Sequence, residues 1–252
     1  MKRERLDERL VREGLAPTRT RAQALIRSGQ VLVDDVPVDK PGTPIRAASV
    51  LRVRQAARRF VSRGGEKLAG ALADLGIDAR GRRCLDIGAS TGGFSDCLLQ
   101  AGAASVVALD VGYGQLDPRL REDPRVTVLE RTNARSLQPA ALFEGVDLVS
   151  VDVSFISVRL LLPAIARVAP RAELLVLVKP QFELGRERVG KGGVVRDDAA
   201  RAEAADGIVA AARALGYALL GRADSRLAGP KGNREIFLWL RPASADPASG
   251  PG

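Results

Sequence analysis

The apolar residues at the start of the chain recur at helical spacing. One helix is predicted over Arg5–Gly14, and a second follows Thr18, a residue type that caps helices, and ends at Gly29. The residues that share an apolar face are Leu6, Leu10 and Val11 in the first helix and Ala22, Leu25 and Ile26 in the second. Short apolar runs then predict strands at Val31–Val33, Val36–Val38 and Val50–Val53, with a turn at Asp34–Asp35. The front of the chain is therefore predicted to be a small α+β domain.

The pattern changes after a basic stretch without an apolar face, which we interpret as a linker over residues 54–61. From Arg82 onward, short apolar runs alternate with helical patterns, which is typical of a Rossmann-like, doubly wound α/β domain. The predicted strands are Cys84–Ile87, Val106–Leu109, Val126–Leu129, Val146–Val151, Leu174–Val178, Ala218–Ala223 and Glu235–Leu240. We therefore expect one domain over residues 1–59 and another over residues 60–241. The polar, Pro/Gly-rich tail, residues 242–252, is predicted to be disordered.

Positive charge is concentrated at the front of the chain. Residues 1–59 hold 14 Lys/Arg and 7 Asp/Glu, whereas the remaining residues hold 25 and 23, within a net charge of +9. This asymmetry favours a front domain that binds a polyanion and a second domain that is nearly neutral. A solvated basic surface would give the same counts, so charge alone leaves both interpretations open.

Several chemistries are excluded by composition. The chain has no histidine, which removes the commonest general base and transition-metal ligand, and no metal site is predicted. Cys84 and Cys97 are too few for a disulfide framework or a zinc site, so buried reduced thiols are expected. The charged N-terminal segment has no secretory signal pattern, and the longest apolar run, Leu174–Val178, is too short to span a bilayer. We therefore expect a cytoplasmic protein that is not inserted in a membrane.

The front segment resembles an S4-type RNA-binding domain. That family's signature, R-x-x-A-x-x-x-I-x-x-G-x-V-x-V-[ND]-[GD], is matched nearly position by position from Arg19 to Asp35, with Asp35 where glycine is usual. The spacing alone allows either a solvated basic helix or an RNA-binding surface, and the resemblance favours RNA. Guanidinium groups there would contact phosphates and position the RNA without reading its sequence. The candidate RNA-binding residues are Arg5, Arg19, Arg21 and Arg27.

A glycine-rich turn, LDIGASTGGFSDCLL, joins a predicted strand that ends at Ile87 to a helix that begins with Phe94. Glycines allow a close approach of the backbone to a ligand, but the spacing GxxxGG does not fit the dinucleotide fingerprint GxGxxG. Asp86 before the turn would repel a pyrophosphate but tolerate a cationic methionine moiety. Asp110, 24 residues further at the end of the next strand, suits the hydroxyl groups of a ribose. A tight turn without any ligand is the alternative.

Four charged residues stand in contexts that suit catalysis: Lys67, Asp152, Lys179 and Glu235. Asp152 and Lys179 directly follow apolar strands, at the edge where open α/β sheets bind ligands. Each residue alone is more often an ordinary surface charge. Together, in a chain without histidine, they could methylate a ribose hydroxyl, because a second ammonium and partial desolvation can turn a lysine into a base. The carboxylates would then orient the amines and balance their charge.

The second domain resembles the FtsJ-type 2'-O-ribose methyltransferases, and the whole chain resembles the TlyA family, historically called haemolysins. The resemblance covers residues 1–241 and is carried by the blocks SRGGEKL, LDIGASTGGFSDCLL, VDVSFIS, LVKPQFE and KGNREIF. It implies a Lys67–Asp152–Lys179–Glu235 tetrad with Lys179 as base, S-adenosylmethionine as cofactor, and a cytidine of ribosomal RNA in the small or large subunit as target. The residues implied for cofactor binding, beside Asp86, are Gly88, Ala89, Ser90, Thr91, Gly92, Gly93, Phe94, Asp110 and Asn133.

Two other functional classes compete with the methyltransferase. One is a ribosome-binding or assembly factor that keeps the fold without turnover, which the four matched charges disfavour. The other is a membrane-lytic protein, in keeping with the historical family name, which the missing signal segment and missing apolar span disfavour.

Overall fold

A computed structural model describes residues 3–53, 59–190, 192–229 and 231–243. The chain divides into two compact units, Met1–Arg58 and Arg59–Gly252. Most of the predicted linker lies outside the described residues, and the predicted tail is described only at residues 242 and 243.

The first unit is a small α+β fold that begins with a strand instead of a helix. The prediction of one helix over Arg5–Gly14 is wrong at its start, because Arg3–Arg5 pairs antiparallel with Pro44–Arg46. Two charged arginines in three residues give no periodic signal for such a short strand. The prediction that Thr18 caps the second helix is confirmed, since its Oγ1 accepts the Arg21 N–H at 3.2 Å. The elements are β1 Arg3–Arg5, α1 Leu6–Arg12, α2 Arg19–Arg27, β2 Val31–Val33, β3 Val36–Pro37, β4 Pro44–Arg46 and β5 Leu51–Val53.

The predicted turn at Asp34–Asp35 joins β2 to β3. Both residues have positive φ, 51° and 65°, as a type I′ hairpin turn requires. The Asp34 side chain stabilises this turn, because its Oδ1 accepts the Val50 N–H at 2.8 Å. This conformation explains why glycine is the usual residue at position 35, and why a short polar side chain can replace it.

The second unit is a doubly wound α/β fold, as predicted. The described strands of this unit form one seven-stranded sheet in the order β11-β12-β10-β9-β6-β7-β8, in which β12 runs in the direction opposite to the other six strands. The strands are β6 Arg83–Ile87, β7 Ser105–Leu109, β8 Val126–Leu129, β9 Leu148–Val151, β10 Glu173–Val178, β11 Tyr217–Asp224 and β12 Ile236–Pro242. The helices are α3 Arg63–Leu75, α4 Gly93–Gln100, α5 Pro118–Arg121, α6 Leu162–Val168, α7 Pro180–Glu183 and α8 Asp198–Ala214.

Apolar side chains cover both faces of this sheet. On one face, strand residues such as Leu85 and Val176 pack with α6 and α8, and on the other Leu175 and Phe237 pack with α3 and α4. Burial on two sides explains why the strands read as continuous apolar runs. Cys84 and Cys97 are free and buried, as predicted. Among the described residues, every helix is too short or too polar to cross a lipid bilayer.

Candidate active site

Three of the four predicted catalytic residues stand at one edge of the sheet. Asp152 follows β9 and Lys179 follows β10, and these strands run parallel. Because β12 is antiparallel to β10 and Val178 pairs with Ile236, the residue before β12, Glu235, lies beside Lys179. The reversed direction of β12 therefore places its N-terminal end at the edge where the other strands have their C-terminal ends.

Lys179 is held by two groups from the segment after β9. Its Nζ lies 2.5 Å from Oδ1 of Asp152 and donates a hydrogen bond to Oγ of Ser154 at 2.9 Å. The Lys179 side chain is only 12% exposed. An ammonium in this setting is kept in one position instead of sampling solvent. Sequence reasoning identified Asp152 but gave Ser154 no role, although it lies two residues further in the same block.

Lys67 and Glu235 form the second ion pair. Lys67 Nζ donates to Glu235 Oε2 at 2.5 Å, across 168 residues of sequence, and both groups are buried. Oε1 of Glu235 is also buried and has no hydrogen-bond partner within the part of the chain that the structure describes. Two lysines and two carboxylates thus meet in two buried or half-buried pairs, and their formal charges cancel.

Lys67 reaches this edge because α3 lies unusually close to α4. A Cβ built on Gly93, at the start of α4, would lie 2.1 Å from the Ser62 Oγ and 3.2 Å from the Gly64 Cα. A side chain at position 93 would therefore force α3, and Lys67 with it, away from Glu235. Gly93, which sequence reasoning placed in the cofactor loop, is buried in the structure and lies at this helix contact.

The glycine-rich loop begins at Gly88, beside the Lys179–Asp152 pair. Gly88 has φ 87°, and a Cβ there would lie 2.4 Å from the backbone oxygen of Asp152. Its N–H and that of Ala89 both donate to Leu109 O, at 2.9 and 3.0 Å. Position 88 therefore requires glycine both for its conformation and for the close contact. Ser90 and Thr91, further along the loop, are exposed.

Asp110 fixes the same loop through its carboxylate. Oδ2 accepts the Ser90 N–H at 2.8 Å, and Oδ1 accepts the Gly112 N–H at 2.7 Å. Each oxygen keeps a lone pair that could accept another hydrogen bond. A cleft opens here, and it is lined by Ala89, Ser90, Ala108, Asp110, Gly112, Gln115, Leu116, Val128 and Glu130. Sequence reasoning missed Gln115, which belongs to no strand end and to no block with a recognisable pattern. It also missed Glu130, although this residue directly follows the predicted strand Val126–Leu129.

Asp86 and Phe94 lie beneath the glycine-rich loop and not on its open face. Asp86 is fully buried and accepts hydrogen bonds from Ser95 Oγ at 2.6 Å and Ser150 Oγ at 2.9 Å. Burial raises the pKa of Asp86 to about 6, although the two hydroxyls oppose this shift. Phe94 is 3% exposed and stacks on Phe237 with ring centroids 6.1 Å apart. These two side chains would therefore affect a cofactor only indirectly, by supporting the loop above them.

Asn133 follows β8 and is exposed. Its Oδ1 accepts the Arg135 N–H at 3.0 Å and caps the short 3₁₀ turn Ala134–Ser136. The neighbouring Thr132 N–H donates to Asp110 O at 3.0 Å, which joins this loop to the loop that carries Asp110. Asn133 thus stands on a segment tied to the cleft, with its amide nitrogen available to a ligand.

The four candidate RNA-binding arginines differ in their partners. Arg5 and Arg19 both donate to the carboxylate of Asp7, which is fully buried, with N–O distances of 3.0–3.1 Å. Burial raises the pKa of Asp7, but hydrogen bonds from Arg5, Gln23 and Arg19 outweigh it and hold that pKa well below its ordinary value. Arg21 and Arg27 are exposed and make no ion pair with another described residue. Two of the four guanidiniums therefore contribute to the fold of the first unit.

Comparison with protein families divides the chain in the same way. The family model of the FtsJ-like methyltransferases matches residues 60–242, and that of the S4 domain matches residues 4–51. Both matches follow the order in which the two units occur along the chain.

Individual relatives cover nearly all of the chain. The 16S/23S rRNA (cytidine-2'-O)-methyltransferase TlyA of Mycobacterium tuberculosis is 52% identical over 95% of this chain and 90% of its own length. Hemolysin A of Brachyspira hyodysenteriae is 41% identical over 92% of this chain and 98% of its own length. A solved structure from Streptococcus thermophilus, named only as a candidate hemolysin, has a TM-score of 0.73 at 39% identity and covers 96% of this chain and 89% of its own.

Proposed function

The chain belongs to the FtsJ-like methyltransferases with an S4 domain, in the TlyA family, and we propose that it transfers a methyl group from S-adenosylmethionine to the ribose 2'-oxygen of a cytidine in ribosomal RNA. The M. tuberculosis relative is named for cytidines of both 16S and 23S rRNA, which makes both ribosomal subunits candidate substrates. Work on ribosomal RNA would place the protein in the cytoplasm.

The observation that carries the proposal is the convergence of two lysine–carboxylate pairs at the sheet edge beside the Gly88 loop. Such a site needs no histidine and no metal to act on a hydroxyl group. The same four residues are scattered over 168 positions of sequence, so their meeting is not a consequence of local structure. This convergence supports a reaction in which an amine accepts a proton from a hydroxyl group next to a bound cofactor.

Residues that line the cleft beside Asp110 would bind the nucleoside end of S-adenosylmethionine. Free lone pairs of the Asp110 carboxylate would accept the ribose hydroxyls, while the apolar Leu116 and Val128 line the same cleft and could cover an adenine. The Gly88–Ser90 backbone would hold the methionine portion. When bound, S-adenosylmethionine supplies a methyl group activated by a positively charged sulfur.

Lys179 is the residue best placed to take the proton of the 2'-hydroxyl. Asp152 and Ser154 fix its Nζ, so the amine would meet the hydroxyl in one geometry once it has given up its own proton. Glu235 holds Lys67 in the neighbouring pair at the same edge of the sheet. Exposed Arg21 and Arg27 would contact RNA phosphates, and thereby increase affinity without selecting the nucleotide.

The test is methylation of purified ribosomal subunits with isotopically labelled S-adenosylmethionine, followed by digestion to nucleosides and mass spectrometry. We expect labelled 2'-O-methylcytidine with the wild-type protein. Lys179→Ala should lower the single-turnover rate by about 100-fold or more, because a positioned base contributes about 10²–10⁴-fold. Its cofactor affinity should stay close to that of the wild type.

Lys179→Arg separates two roles of this residue. A guanidinium keeps the positive charge but stays protonated at any usable pH, so it cannot act as a base. Arginine should therefore be as inactive as alanine, and substantial activity would assign Lys179 an electrostatic role. If the wild-type protein binds subunits but transfers no label, the chain is a ribosome-binding factor and the proposal fails.

A further inference from the structure

The segment between Asp152 and Val158 is fixed at both ends by groups outside it. At its first end the Asp152 N–H donates to Ile87 O at 2.9 Å. At its other end, Ser157 Oγ and the Val158 N–H donate to the two carboxylate oxygens of Glu183, at 2.5 and 2.7 Å. This segment supplies both groups that hold the Lys179 amine, so its position decides where that amine lies.

Glu183 stands on the same short helix that Lys179 precedes. Lys179 is the N-cap of α7 and Glu183 is its last residue. Four contacts therefore close a ring: Lys179 with Asp152 and Ser154 at one end of the segment, and Glu183 with Ser157 and Val158 at the other. A shift of the segment relative to α7 would change both ends together.

The middle of the segment is conformationally demanding. Phe155 has φ 66°, a value that is rare for a residue with a large side chain, and its ring lies 5.2 Å from that of Phe182 on α7. Such a conformation persists only where the surroundings impose it. The Glu183 contacts follow two residues later, at Ser157 and Val158.

The charged form of Glu183 carries a desolvation cost. It is buried, and burial raises the pKa of its carboxyl group, although hydrogen bonds from Ser157 and Val158 and the Arg159 guanidinium favour the charged form. Sequence reasoning treated LVKPQFE as a block of resemblance and gave its glutamate no role. A buried carboxylate with both oxygens directed at one catalytic segment calls for a reason beyond packing.

We propose that Glu183 is a positioning residue for methyl transfer, which holds the segment 152–158 so that Asp152 and Ser154 keep the Lys179 amine in place. The inference rests on the proposed function, because the rate it concerns is that of methyl transfer. Glu183 acts through the segment and is not itself assigned a contact with substrate or cofactor.

The test compares Glu183→Ala with Glu183→Gln in single-turnover methylation of ribosomal subunits. Alanine removes both contacts and should lower the rate about 10- to 100-fold. Glutamine can still accept the Val158 N–H and can donate to Ser157 Oγ, so it should keep the rate within about threefold of the wild type. The cofactor Kd should change less than threefold in both variants, because no described contact of Glu183 reaches the Asp110 cleft.

Ser157→Ala provides a milder change that is less exposed to a folding defect. It removes one of the two contacts and should give an intermediate rate, and combining it with Glu183→Ala should lower the rate no further than Glu183→Ala alone. Glu203→Ala is the matched control, since it also removes a carboxylate paired with an arginine, Arg188, but on the exposed surface of α8. It should leave the rate unchanged.

The possible results distinguish a failure of the proposed function from a failure of the role proposed for Glu183. A wild-type protein without activity overturns the proposed function itself. With an active wild type, a normal rate in Glu183→Ala overturns the inference, and so does an equal loss of rate in the alanine and glutamine variants. A fall in rate matched by equal losses of cofactor affinity and thermal stability would show a merely structural role, which also overturns it.

Discussion

Replacement of Asp110 should weaken cofactor binding through two effects of one carboxylate. The structure shows Oδ2 and Oδ1 each accepting a backbone N–H, from Ser90 and Gly112, and we propose that the remaining lone pairs accept the cofactor ribose. A hydrogen bond to a charged group contributes about 1.5–3 kcal/mol. Asp110→Ala would lose two ribose contacts and release the loop, so we expect a loss of about 3 kcal/mol, which corresponds to about a 100-fold higher Kd.

Asp110→Asn tests whether the Asp110 side chain needs two acceptor oxygens. An asparagine has one acceptor oxygen, so its NH₂ group must face either the Ser90 or the Gly112 N–H, donor against donor. We therefore expect it to weaken binding by about 10- to 100-fold, although it is nearly the same size as aspartate. A carboxylate that only contacted the ribose would tolerate the amide better.

Isothermal titration of the protein with S-adenosylmethionine measures these differences directly. Glu144→Ala, which removes an exposed carboxylate of the same unit, is the control and should bind like the wild type. Filter binding of ribosomal RNA should be unchanged in all three variants. A Kd for Asp110→Ala within threefold of the wild-type value would refute the assignment of the ribose to this cleft.

Four other outcomes follow from the described contacts. Gly88→Ala should abolish cofactor binding, because its Cβ would meet the Asp152 carbonyl oxygen at 2.4 Å; titration checks this, and normal affinity would contradict it. The pKa of Asp86 is raised from 3.8 to about 6, so the folded state binds this proton more tightly than the unfolded state. The stabilisation that this bound proton provides is complete below about pH 4 and is lost as the pH rises through 6. In denaturant unfolding, the free energy of unfolding of Asp86→Asn should therefore rise by about 3 kcal/mol relative to that of the wild type between pH 4 and 7. Asp7→Asn should lower the unfolding free energy of the first unit by about 1–3 kcal/mol, whereas Asp35→Asn, at an exposed ion pair, should not. Residues 60–252 alone should bind cofactor normally but ribosomal RNA weakly and with a smaller salt dependence, and equal RNA affinity would assign the first unit another role.

Strand positions in the second unit followed well from sequence because both faces of its sheet are buried. Runs such as Cys84–Ile87 and Leu174–Val178 are apolar at every or nearly every position, and they place Asp152 and Lys179 at strand ends without further information. In contrast, the strands β1 and β4 of the first unit are three residues long and mostly charged or exposed, so no periodicity marks them.

The side-chain partners of the site were not accessible from the sequence. Lys67 was a candidate from the sequence, but its pairing with Glu235 could not be predicted, because its place beside Glu235 depends on the glycine contact between α3 and α4. The roles of Asp86 and Glu183 depend on which hydroxyls and amides surround a buried carboxylate, and those groups come from distant segments. Spacing indicates where a strand ends, but not which neighbours a buried charge finds there.

The late position of β12 in the chain has a consequence for biosynthesis. Glu235 precedes the last strand, which is inserted between β10 and β11, and its partner Lys67 is made 168 residues earlier. A growing chain can form the first unit and most of the parallel sheet while Lys67 still lacks its counter-charge, since domains fold as they emerge. The second ion pair can therefore form only after β12 has been made, and any message truncated before β12 yields a product without it.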